Sequence, residues 1–315
     1  RCTPSSGRSA MWTPMTQPVT IVNIADLPLE GVQRGRVNMI RRKRLPLETG
    51  VPGVTCEFSL SIVPDGYFTP RHRHNFDQIR YTLTGVQSTG HGDLAPGEIG
   101  YFPEGAYYGP QAQKGECATL VLQFQGASGE HLLSNEEMNA TYQKMIAEGA
   151  VFQDGIYRGT TPSGGKKNKD SYVAIWEEHE GKKLTFPKAR YRAPVMMQPQ
   201  FYSWLPDRER PGIETKHLGT FNEMRTGMGF FRLLPGATLP AETHKEAEIR
   251  YLVEGSCRYA GKEWGEGTYL YLPPDAQTET FTSEKGATFF YISLPLVREF
   301  SARQRDKDQT RVAAE

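Results

Sequence analysis

Two short stretches hold side chains whose types and spacing suit chemistry. His72-Arg73-His74 is followed after three residues by Gln78, and Glu242-Thr243-His244 after three residues by Glu248. On a strand, positions i and i+2 point to the same face, so His72 and His74 present two imidazoles side by side. Such a pair can bind one metal ion with help from a neighbouring strand, or it can form a hydrogen-bonded pair in a polar pocket. Gln78 would add a neutral amide oxygen, a weaker ligand than a carboxylate for a divalent ion. Glu242, His244 and Glu248 supply one imidazole and two carboxylates, a sound set for a hard or borderline divalent ion and equally a sound hydrogen-bonded cluster. Arg80 and Arg250 each lie two residues beyond Gln78 or Glu248, so both should face the same interior. A buried guanidinium needs an anion. Arg250 has Glu242 or Glu248 at hand, whereas Arg80 has no carboxylate at the equivalent positions and becomes the candidate grip for an acidic substrate. Arg71 and Arg73 should face the other way.

These residues sit in an internal repeat. The segment from Gly66 to Gly85 realigns on the segment from Gly236 to Gly255 without a gap, at a constant offset of 170. Gly66, Pro70, His74, Ile79, Arg80, Tyr81, Gly85, Gly97, Tyr101 and Pro103 match Gly236, Pro240, His244, Ile249, Arg250, Tyr251, Gly255, Gly267, Tyr271 and Pro273, each pair an identity. Gly, Pro, His and Arg are not interchangeable strand fillers, so the repeat reads as duplication. Around it run short strand-like stretches separated by turn residues, among them Val54 to Val63, Ile79 to Thr84, Ala118 to Phe124 and Thr288 to Leu294. That rhythm argues a barrel or sandwich. Between the repeats, Ser134 and Glu137 form a capping box, Met138, Tyr142, Met145 and Ile146 share a helical face, and Gly149 stops the run. A Gly- and Lys-rich loop from Ser163 to Lys169 follows, and Asp170 caps a second helical stretch through Trp176.

The stretch Gly66, five residues, His72-Arg73-His74, three residues, Gln78, six residues, Gly85 resembles the first cupin motif, with Gln78 where that family carries glutamate. Gly97, Pro103 and Gly105 resemble the second, with Tyr108 in its histidine position; in the second repeat Asp275 and Thr278 replace the corresponding glycine and histidine. The resemblance implies a mainly all-β chain with two cupin jelly-roll barrels and a helical connector. It implies a divalent ion, iron, manganese, nickel or zinc, held by His72, His74, Gln78 and Tyr108 in the first barrel or by Glu242, His244 and Glu248 in the second. Tyr108 would then be a proton donor or acceptor and, with Arg80, a catalytic candidate; a free phenol ionises near pH 10 unless a metal lowers it.

The expected domains are an extension at 1–10 (upstream sequence or a cloning remnant), an N-terminal barrel at 11–130, a connector at 131–192, a C-terminal barrel at 193–298 and a polar tail at 299–315. A charge of +1, from 37 basic and 36 acidic residues, leaves no electrostatic footprint for nucleic acid. No apolar run is long enough to span a bilayer and no leader opens the sequence, so the expectation is a cytoplasmic protein with a small-molecule partner and no membrane. A homodimer fits exposed sheet edges. Cys2, Cys56, Cys117 and Cys257 lack zinc-ribbon spacing and read as reduced thiols. His91, His131, His179 and His217 stand singly and read as surface residues. Tyr67, Phe68, Phe76, Tyr101, Phe102 and Tyr107 could line a pocket for a planar substrate, but barrel cores use the same residues, and core packing is the expected role. The functional expectation is a metal-dependent cupin enzyme, with oxygenation of a small organic acid or aromatic compound to test first. The alternatives are a metal-independent isomerase or lyase and a non-catalytic ligand-binding or sensing protein.

Overall fold

The computed structural model describes residues 18–34, 37–48, 55–160 and 163–294. The extension 1–10, Cys2 and the tail 299–315 lie outside the described residues. The chain is mostly β. The anticipated strands occur as Cys56–Val63, Phe76–Thr84, Cys117–Gln125 and Ala287–Leu294. All pairing is antiparallel: Phe76–Thr84 lies between Ile99–Phe102 and Cys117–Gln125, and in the C-terminal half Ala247–Tyr259 lies between Thr268–Leu272 and Ala287–Leu294. Alternation along these strands sorts residues to two faces. Ile79 and Tyr81 join a core shared by both halves, with Ile249, Tyr251, Phe230 and Phe290, while Gln78, Arg80, Glu248 and Arg250 turn into the barrels. Across the shared core Tyr81 stacks on Phe290 at 4.7 Å.

The expected boundary at 193 is crossed in both directions. Thr20–Asn23 pairs with Thr268–Leu272 in the C-terminal sheet, and Val195–Met197 pairs with Ile99–Phe102 in the N-terminal sheet. Each half thus lends the other its edge strand. An edge strand is fixed by backbone hydrogen bonds to whichever sheet it meets, and sequence position alone does not say which.

Two glycines matched in the repeat are required by close approach. Gly85 has φ +68°, and a Cβ there would lie 2.3 Å from the Glu116 carbonyl oxygen; Gly255 has φ +82° and would meet the Gly286 carbonyl at 2.2 Å. Gly85→Ala therefore costs at least about 2 kcal/mol, from left-handed strain plus displaced backbone. Urea unfolding measures it; an unchanged midpoint would contradict this geometry.

The connector contains α1 (Asn135–Ala147), with the Ser134–Glu137 capping box, and α2 (Ser171–Glu180), capped by Asp170 and ended by Gly181 in the left-handed region. Two expectations need correction. Ile146 is exposed, because the buried face follows Met138, Thr141 and Met145, and Ile146 lies one residue further round. The Lys-rich loop is partly a strand, Lys166–Asp170, paired with Ile156–Thr160. Its three lysines hide a strand held by cross-strand backbone bonds rather than by apolar alternation. No helix among the described residues is long and apolar enough to cross a membrane.

α1 and α2 cover the open end of the N-terminal barrel. Glu57 accepts from the Asn135 backbone N–H at 2.7 Å, at the positive end of α1. Tyr172 of α2 donates to Asn75 Oδ1 at 2.5 Å, and Asn75 and Trp176 both donate to the His131 carbonyl at 2.8 Å.

Candidate functional site

The two barrels have different interiors. The C-terminal one is filled by Phe231, Leu239, Leu252, Phe281 and Phe289 among others. The N-terminal one encloses a cavity of about 130 Å³ whose polar wall includes His72, His74, Gln78, Arg80 and Tyr108 and whose roof includes Leu133 and Tyr172. An apolar cavity of about 150 Å³ accepts benzene, so this space suits a molecule of that order.

His72, His74, Gln78, Arg80 and Tyr108 all line this cavity. His72 and Tyr108, both outside the strands, form an isolated antiparallel bridge by two backbone hydrogen bonds of 2.9 Å, which sets the phenol beside the His72 ring. The rings of His72 and His74 lie 5.0 Å apart, and that of Tyr108 is 4.3 Å from His72. His72 Nδ1 donates to the Pro70 carbonyl at 2.7 Å, an acceptor that fixes the tautomer of the neutral ring. Arg80 donates from Nε to Gln78 Oε1 at 2.7 Å and from Nη2 to the Tyr108 hydroxyl at 2.9 Å. The Tyr108 hydroxyl in turn lies 3.3 Å from His74 Nδ1. Arg80 also lies over the Phe102 ring at 4.2 Å.

This arrangement bears on the expected metal. Gln78 and Tyr108, the third and fourth ligands of the first-barrel set, both turn their oxygens to Arg80. An ion bound by all four would share those oxygens with Arg80 and would face a buried guanidinium of like sign. With Arg80 so placed, the four-residue set does not fit a divalent ion; the two same-face histidines remain as its possible nucleus.

In the second barrel the misfit is sharper. Arg250 donates from Nε to Glu248 at 2.6 Å and from Nη2 to Glu242 at 2.7 Å, and Nη2 lies 2.9 Å from His244 Nε2. Both carboxylates of the expected set are therefore directed at a resident cation, which also packs against the Phe231 and Phe281 rings at 5.0 and 5.6 Å, and His244 Nε2 is engaged by Glu242 Oε1 at 2.9 Å. Burial would raise the Glu242 carboxyl, but the His244 bond and the Arg250 charge outweigh it and bring it down to about 2. The structural pairing expected for Arg250 is what forms. These residues do not fit a metal while the guanidinium stands among them.

Other positions fall as follows. Arg71 and Arg73 face away from the histidines and lie over the Tyr107 ring at 4.6 and 4.7 Å. Tyr67 and Phe76 line the cavity, Tyr101 lies in the shared core, and Phe68 and Tyr107 are exposed, so the last two are not core. Cys56, Cys117 and Cys257 are free thiols. His91 lies at 3.1 Å from the Tyr107 carbonyl oxygen and His217 at 3.0 Å from the Tyr291 hydroxyl. His131 and His179, read as isolated, instead come together with Glu137. Arg42 and Glu57 also line the cavity; for Glu57 the inward alternation of the Cys56–Val63 strand carries the signal in the sequence.

Comparison with known proteins accords with the fold. Residues 192–297 match the family described as the ChrR cupin-like domain. No curated protein matches the chain. Among solved structures, a candidate dioxygenase from Nostoc punctiforme superposes with TM-score 0.61 at 13% identity, covering 88% of this chain and 82% of the other. A candidate glyoxylate-induced protein from Pseudomonas aeruginosa gives 0.54 at 15% identity, covering 92% and 94%. Oxalate decarboxylase from Bacillus subtilis, a protein with Mn(II) centres, gives 0.52 at 12% identity, covering 89% and 77%. At such identities the likeness is one of fold.

Proposed function

We propose that both halves are cupin domains, that the C-terminal one is scaffold, and that the N-terminal one binds a small organic anion and transfers a proton on it without a metal. The observation that carries this is the unequal company of two equivalent arginines. Arg250 meets two carboxylates of its own barrel, whereas Arg80, equally buried, donates among the described residues to a neutral amide and a phenol. A guanidinium so placed beside a cavity supplies the charge and the fork geometry that a carboxylate takes. The Tyr108 hydroxyl, touching both Arg80 and His74, is the group placed to give or take a proton at the bound molecule, with His74 as its relay. Isomerisation or elimination next to a carboxylate is the reaction class this serves.

Calorimetric titration of short-chain and aromatic carboxylates into chelator-treated protein tests the reading. Arg80→Met is expected to weaken binding by about 2 kcal/mol or more, roughly thirtyfold. Absence of carboxylate binding to the wild type, or equal binding by the variant, would overturn it. A second reading, a metal-dependent dioxygenase, is favoured by the same-face His72 and His74 and by the fold shared with the candidate dioxygenase. Oxygen uptake that requires added iron or manganese and disappears in His74→Ala would establish that reading instead.

A further inference from the structure

We infer that the connector carries a divalent-metal site of its own, formed by His131, Glu137 and His179. One ligand atom from each lies within 4.8 Å of the others, and among the described residues this is the one group of three or more histidine, cysteine or acidic residues that does so. It lies outside the barrel cavity. His131 comes from the loop before α1, Glu137 from the first turn of α1 and His179 from the last turn of α2.

The polar partners around the group are those of a ligand set. His131 Nδ1 lies 2.9 Å from Glu180 Oε1, an acceptor, so in the neutral ring Nδ1 carries the proton and Nε2 the lone pair. That Nε2 lies 3.6 Å from Glu137 Oε2, beyond hydrogen-bond range. Two ligand atoms each about 2.1 Å from a tetrahedral ion stand about 3.4 Å apart, so this separation is that of neighbours on one ion. A carboxylate behind a ligating histidine fixes the ring and raises its basicity, which is the role Glu180 has here. His179 is held by Thr141, whose Oγ1 lies 3.0 Å from Nδ1. Glu137 is fixed through its capping-box bond from the Ser134 N–H at 2.7 Å. The Ser134 bonds and the two nearby histidines outweigh its partial burial and hold its carboxyl below the usual range.

Two imidazoles and one carboxylate are a zinc-type set with a fourth position open to water. An ion there would tie the His131 loop to both helices at their outer end. The inner side of the same loop and helices, through Leu132, Leu133, Met138 and Tyr172, lines the cavity.

The test is zinc titrated into chelator-treated full-length protein against a chromophoric competitor, with a thermal midpoint measured in parallel. The wild type is expected to bind one equivalent and to gain in midpoint. His179→Ala, at an exposed position, is expected to lose both, Glu180→Ala to bind about 10–100-fold more weakly, and His74→Ala to bind as the wild type does. Absence of a bound equivalent, its retention in His179→Ala, or its loss only in His74→Ala would each overturn the inference. The last result would place the ion in the barrel.

Discussion

Replacing Arg250 by leucine is expected to lower the free energy of unfolding by about 3 kcal/mol, the lower part of the range for breaking a buried ion pair, and to create affinity for a divalent ion in the C-terminal barrel. The cost arises because Glu242 and Glu248 lose the cation to which both are bonded at 2.7 and 2.6 Å. They are partly exposed, at 27% and 18% of their side chains, so water recovers some of the loss. Arg210 remains 3.3 Å from Glu242 and recovers a little more. With the guanidinium gone, two carboxylates and the His244 imidazole face one another across the space it held. Manganese or zinc should then restore stability by mass action. Denaturant unfolding of wild type and variant, each with and without the ion, reads both effects. Equal ion response in the two proteins would show that Arg250 does not stand in a metal's place.

Glu104→Gln is expected to remove a pH dependence from the wild type. Glu104 is buried, with Ser128 as its hydrogen-bonding neighbour, and burial is the largest influence on it; the Ser128 bonds offset this only in part, leaving the carboxyl at about 7. In the unfolded chain it returns to the ordinary range near 4.3. Between those values the folded protein holds a proton that the unfolded chain has released. The stabilisation is thus fully present below about pH 4, falls as pH rises towards 7, and is absent above it, a span of roughly 3–4 kcal/mol. Stability measured at pH 5 and pH 8 should differ less in Glu104→Gln than in the wild type, with the variant the more stable of the two at pH 8. An unchanged difference between the two pH values would mean that Glu104 stays ionised in the fold.

The parts legible in the sequence were those carried by local period and exact spacing. The i, i+2 rule sent Arg80 and Arg250 inward, because strand alternation is a property of the backbone, whereas His72 and His74 line the cavity from the irregular segment before Phe76–Thr84, with His72 held by an isolated bridge to Tyr108. The repeat was visible because Gly85 and Gly255 cannot be other residues without collision. Ile79, Tyr81 and Tyr101 match Ile249, Tyr251 and Tyr271 because all six lie in the core the two halves share. What stayed hidden depended on encounters between distant segments. Nothing near His131 announces His179, and only the packing of α1 against α2 joins them. That Arg250 takes up Glu242 and Glu248 together, while Gln78 leaves Arg80 with neutral company, is a contest between cations for the same lone pairs. Motif spacing records the ligands and is silent on the competitor. The exchanged edge strands are of the same kind, since a short strand carries no mark of the sheet it will join.

That exchange also sets a timetable for the growing chain. Val195–Met197 finds Ile99–Phe102 already made when it leaves the ribosome, so the N-terminal sheet can gain its edge strand during synthesis. Thr20–Asn23 has the opposite fate, because Thr20 pairs with Tyr271. At about 5–20 residues per second its partner follows roughly 12–50 s later. Through that interval the first strand emerges without its sheet, and its backbone donors and acceptors must be kept from other chains. The second half of the chain therefore supplies the template on which Thr20–Asn23 pairs.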